Sequence, residues 1–148
     1  MRSALSLVLL LYAATTSIAG VSTNHSHPLH GKWEIFLPDE RCSEVYDFRP
    51  NGTRVYTSAE ESGQSAYTIS KTPSLGFNEL EDRITHSNGK SDCSGGSSPV
   101  GSKAILYIRF NSNLDQMIMC RDPSLANCFG PFMRLPDSRP AGPKTGIE

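Results

Sequence analysis

Between residues 31 and 135 apolar side chains recur at every second position, and the runs are cut at short intervals by Asn, Gly, Pro and Asp. The clearest run is KAILYIRF, residues 103–110. Ala104, Leu106, Ile108 and Phe110 share one face, and Tyr107 and Arg109 share the other. A period of two belongs to a half-buried strand, because successive side chains leave a pleated strand on opposite sides. The same pattern predicts strands over residues 32–37, 44–49, 53–58, 65–71, 103–111, 114–120 and 129–135. In the first of these Trp33, Ile35 and Leu37 lie on one side; in the second, Tyr46 and Phe48 oppose Asp47 and Arg49. Residues 78–87 read as a further strand, with a short helix near 79–83 as the competing reading. Pro50-Asn51-Gly52, Ser62-Gly63, Asn88-Gly89 and the Asn111 to Asn113 segment supply turns, since Asn and Gly tolerate positive φ. About eight short strands joined by hairpin turns predict an all-β fold, a single antiparallel up-and-down barrel.

The chain ends read differently. Arg2, an apolar run over residues 4–14 and the small residues Ser17-Ile18-Ala19 form a signal-peptide pattern, residues 1–19, with cleavage before Gly20. A second cut after Ser22 also satisfies the pattern. The apolar run is too short to span a bilayer, and no cysteine lies near the cut to carry a lipid. About 129 of the 148 residues would remain, enough for one domain with a real core. Residues 20–30 form a polar, histidine-containing leader, residues 31–135 the barrel, and residues 136–148 a Pro-rich tail expected to be disordered. Loss of Arg2 moves the formal charge from −1 to −2, so nucleic acid and anionic membranes are not expected partners. The chain is expected to be secreted or periplasmic.

Four cysteines, Cys42, Cys93, Cys120 and Cys128, fall in the exported part. An even count in an exported domain predicts two disulfides, and sequence allows three pairings. Turn residues inside CRDPSLANC favour Cys120–Cys128, which leaves Cys42–Cys93. Zinc is the rival reading, but close Cys-x-x-Cys knuckles are absent.

Gly31-Lys32-Trp33 at the head of the first strand resembles the Gly-x-Trp of lipocalins and related calycin barrels. The resemblance implies that Trp33 closes one end of the barrel and that an arginine of the last strand, here Arg134, packs over the indole. Tyr46-Asp47-Phe48 followed by Asn51-Gly52-Thr53 looks like the strand and turn of lipocalin-like bacterial domains. The Thr-Asp-x-x-Tyr element of lipocalins is missing, and no helix is expected after the barrel. The segment SGQSAYTISK, residues 62–71, is similar, with a different spacing, to a region of barrel-shaped periplasmic inhibitors of c-type lysozymes.

Three histidines, His25, His27 and His30, lie close together ahead of the barrel, and imidazoles are ligands for zinc, copper and nickel. A solvated leader without metal is the alternative, and no cofactor is expected. The glycine-rich residues 91–103 form an anion cradle, a lid, an insertion loop for a partner, or a connector held by Cys93. Catalysis finds little support. His86 is the one histidine inside the domain, without a nucleophile elbow, and Glu60, Glu61, Glu79, Glu81 and Asp82 read as solvated turns and strand ends. If the Tyr107–Arg109 face points inward, the Arg109 fork would suit a carboxylate ligand. The apolar face of that strand is the better inward candidate. The expected function is a non-enzymatic binding module for a small apolar or amphipathic ligand. An inhibitor or immunity factor acting on an enzyme such as a cell-wall hydrolase is the alternative.

Overall fold

The computed structural model describes residues 27–39, 41–70 and 73–136. The segment expected to be a signal peptide, His25 and all of the tail beyond Pro136 lie outside these residues. The fold is a closed antiparallel barrel of eight strands in up-and-down order. The strands are β1 (Gly31–Leu37), β2 (Cys42–Phe48), β3 (Thr53–Ser58), β4 (Glu61–Ile69), β5 (Asn78–Ser87), β6 (Lys103–Phe110), β7 (Gln116–Cys120) and β8 (Cys128–Arg134). Residues 78–87 are thus a strand throughout.

Turn chemistry sets the register. After β2, Gly52 takes φ 80°, its N–H donates to the Arg49 carbonyl, and the Asn51 side chain accepts from the Thr53 N–H. A Cβ at Gly52 would lie 3.1 Å from the Tyr67 carbonyl, so the turn also lies close against β4. The hairpin between β3 and β4 turns on Ala59-Glu60, with Ser58 opposite Glu61. The turn expected at Ser62-Gly63 is therefore strand. Gly63 is small there for another reason. An added Cβ would sit 2.5 Å from the Tyr56 hydroxyl and 2.4 Å from the His86 carbonyl, so only glycine admits the inward Tyr56 ring.

The two barrel ends are built differently. At one end Leu29 and Trp33 are both 0% exposed, and the Trp33 indole N–H donates to the Leu29 carbonyl at 2.8 Å. Phe48, Ile108, Met117 and Phe132 pack above them. Segment 27–30 therefore belongs to the folded unit, which moves the expected domain boundary back from residue 31. The polar letters around Leu29 conceal a plug residue. At the other end, the mouth, lie both disulfides, Cys42–Cys93 and Cys120–Cys128. The loop of residues 88–102 also sits there. Closure between β1 and β8 is short, with Trp33 opposite Arg134 and Glu34 opposite Met133. Pro131, which has no N–H, and the register shift between Met117 and Met119 limit pairing along β8.

Candidate functional site

The apolar face of β3 does not point inward. Phe48 faces the core and stands opposite Arg54, so Arg54, Tyr56 and Ser58 follow it inside. Arg54 is 8% exposed, and its guanidinium lies 4.7 Å from the Tyr46 ring centroid and 4.9 Å from that of Tyr56. Its Nη2 donates to Asp82 Oδ2 at 2.5 Å, and its Nε donates to Ser65 Oγ at 3.0 Å. The Ser65 hydroxyl in turn donates to Asp82 Oδ1 at 2.5 Å. Charges this deep are tolerated because each one is paired and hydrogen-bonded. Asp82, expected as a solvated strand end, is instead 9% exposed.

Two more carboxylates are held toward the mouth. Glu61, expected in a solvated turn, is 1% exposed. It accepts from the Tyr56 hydroxyl, the Ser87 hydroxyl, and both the N–H and hydroxyl of Ser98. Glu44 accepts from the Tyr46 hydroxyl at 2.6 Å and the Ser58 hydroxyl at 2.7 Å. Burial, reinforced by the Glu44 charge, pushes the Tyr46 phenol far up, so Tyr46 stays protonated and acts as a donor. The Ser58 hydroxyl also accepts from the Cys93 N–H. Loop 88–102 is therefore fixed to the barrel by the Cys42–Cys93 bond, by Ser98 on Glu61 and by the Cys93 N–H on Ser58, whose hydroxyl is itself held by Glu44. The loop is held down over the barrel end, with Cys93 as a covalent anchor.

Beneath this loop is a cavity of about 630 Å³. Its apolar wall includes Phe48, Leu80, Ile84, Leu106, Met119 and Phe129. Arg54 and Asp82 provide the polar part of the wall, and Lys103 and Arg121 also line the cavity. The volume falls within the usual range for small-molecule pockets, roughly 300–1,000 Å³. Residues 103–106 of β6 pair with β5, while the β6–β7 ladder begins only at Tyr107 opposite Cys120. That difference opens the wall beside the mouth and leaves Ala104, which stands opposite the inward Asp82, exposed at the cavity edge.

Tyr107 and Arg109 take no part in the cavity. Ile108 is paired with the buried Met119 and fills the inward position, so alternation turns its neighbours outward. The Arg109 guanidinium lies 5.9 Å from the Phe77 ring centroid on the outer side of the barrel. The Ala104–Phe110 face, the better inward candidate from the sequence, is the inward one, and Tyr107 and Arg109 do not line the cavity. His86 is exposed on β5 and does not line the cavity. Trp33 and Arg134 meet as the resemblance implied, with the guanidinium 4.1 Å from the indole centroid.

Of the three leader histidines, His27 and His30 are described. His27 Nδ1 accepts from the Leu29 N–H, and the ring also bonds the backbone of Ser70. His30 Nδ1 is buried and has no hydrogen-bond partner among the described residues. The two ring centroids are 6.1 Å apart. No group of three or more His, Cys, Asp or Glu positioned to hold a metal occurs among the described residues.

One sequence signal marks the lumen polar cluster in retrospect. Leu80, Asp82 and Ile84 alternate on one face of β5, and an acid between two buried aliphatic residues needs a buried donor. Comparison of the chain with protein-family models, curated proteins and solved structures finds no match.

Proposed function

We propose that this chain is an exported, non-enzymatic binding module with a lipocalin-like barrel, whose cavity holds a small apolar or amphipathic ligand. The observation that carries this reading is the cavity of about 630 Å³, with an aliphatic and aromatic wall and a side opening edged by Ala104. A barrel filled by its own side chains would have no such use. Two disulfides suit an oxidising compartment, in keeping with secretion or a periplasmic location. Native mass spectrometry of protein purified from an exporting host tests the reading. A co-purified small molecule supports it. Protein free of small molecules that also binds no apolar probe on titration contradicts it.

A second reading, a protein-binding inhibitor or immunity factor, draws on the rigid fixation of loop 88–102 by Cys93 and Ser98. A fixed loop loses little entropy on entering an enzyme cleft. A co-purified protein in the same experiment favours this alternative.

A further inference from the structure

The lining of the cavity carries an excess of positive charge. Among the described residues Arg54, Lys103 and Arg121 line it, against one acid, Asp82. Asp82 is already committed to Arg54 and Ser65. Glu44 and Glu61 lie outside the lining and are occupied by hydroxyl and N–H donors. Among the described residues neither Lys103 nor Arg121 forms an ion pair. Arg54 uses Nε and Nη2 for its bonds, and Nη1 has no hydrogen bond among the described residues. Nη1 is also not among the buried polar atoms lacking a partner, so it is open to solvent or a ligand in the cavity wall.

The placement of these cations sets the polarity of an occupant. Lys103 begins β6 and Arg121 follows the end of β7, so both stand on the mouth side of the barrel. The apolar wall of Leu80, Leu106 and Met119 extends inward from them. We infer that the ligand is an amphipathic anion, with its acidic group held by Arg121 and Lys103 at the opening and its apolar body against the inner wall. Arg54 Nη1 offers a deeper donor to any acceptor that reaches it. This inference rests on the ligand-binding reading above and specifies its ligand class. An anion gains because unpaired cations beside a low-dielectric wall attract it more strongly than they would in open water. A cationic amphipath meets two like charges at the same opening.

Three probes with one twelve-carbon chain test the inference: dodecanoate, 1-dodecanol and dodecyltrimethylammonium. Each is titrated by calorimetry, below micelle formation, into delipidated and fully oxidised protein. Dodecanoate is expected to bind about tenfold or more tightly than dodecanol, and the ammonium most weakly. The double variant Arg121→Gln, Lys103→Gln should erase most of that preference, lowering dodecanoate affinity far more than dodecanol affinity. These side chains have no ion-pair partner among the described residues, and a thermal melt verifies that the variant is folded. Equal binding of dodecanoate and dodecanol, or tightest binding of the ammonium, overturns the anionic class and leaves the binding barrel standing. Failure of all three probes to bind overturns both readings.

Discussion

The Arg134 guanidinium lies 4.1 Å from the centre of the Trp33 indole, and the two residues are direct partners across the seam that closes the barrel. Arg134 does more than stack. Its Nη1 donates to the His30 carbonyl, its Nη2 to the Pro28 carbonyl and its Nε to the Leu114 carbonyl. One side chain therefore ties together the plug segment, the β6–β7 turn and the indole.

Arg134→Ala should destabilise the fold by ~3 kcal/mol, the sum expected from a partly desolvated cation–π contact and lost charge-assisted hydrogen bonds. Arg134→Lys keeps the charge but not the planar fork, and its loss should be intermediate. Urea unfolding followed by circular dichroism measures both, and equal stability of Arg134→Ala and the parent would contradict the assignment.

Breaking the lumen ion pair from one side should be worse than removing it altogether. Asp82→Ala leaves the Arg54 charge buried without its partner, at a cost of ~3–5 kcal/mol. Replacing both residues, with Arg54→Met and Asp82→Leu, should recover much of that loss. A double-mutant cycle from denaturant midpoints gives the coupling, and a purely additive result would count against the network.

Acid should loosen the plugged end. Burial lowers the pKa of His27 and His30 below the ordinary 6.5, and in His27 the nearby His30 lowers it further. The folded state then binds fewer protons than the unfolded state below pH 6.5, so stability is complete above that value and declines as pH falls toward the folded pKa values. Protonation would also add positive charge beside Arg134. Melting temperatures followed from about pH 8 down to about pH 5 should fall more steeply for the parent than for a His27→Asn, His30→Asn double variant. Parallel curves would refute this linkage.

The two disulfides should differ in worth. They span 51 and 8 positions of sequence. Loop-closure entropy assigns ~4 kcal/mol to the first and ~2.5 kcal/mol to the second. Paired Cys→Ser variants at Cys42 and Cys93 should therefore unfold at lower denaturant than those at Cys120 and Cys128. Amide exchange at Ser98 should rise in the former, because loop 88–102 then loses its covalent tie and is held by hydrogen bonds alone, among them those from Ser98 to Glu61.

Much of the barrel was legible because alternation and Asn-Gly turns act locally. The pairing of Cys42 with Cys93 and of Cys120 with Cys128 also agrees with the reading from turn residues. The candidate site was far less legible. Leu29 stands alone among polar neighbours, so no period announces that it fills the barrel floor. On β3 the inward residues are Arg54, Tyr56 and Ser58, while Val55 is left on the other face. Apolar alternation alone would orient that strand the other way. Its facing is decided by the turn that places Arg54 opposite Phe48, a relation between strands that a single run does not contain. Glu61 and Asp82 were misread as solvated for the same reason, since their donors come from distant strands and from the mouth loop.

The order of the strands has a kinetic consequence. Seven of the eight ladders join neighbours in the chain, and the ladder between β1 and β8 alone joins its two ends. Hairpins can zip from any starting point, but the final ladder brings Trp33 of the first strand to Arg134 of the last, and the Arg134 side chain then reaches His30, 104 positions distant. The entropy of circularising the sheet is thus concentrated in one late event. Trp33 sits in that ladder and is the sole tryptophan of the chain. Its fluorescence after a denaturant jump is a built-in clock for the moment when the sheet becomes a ring.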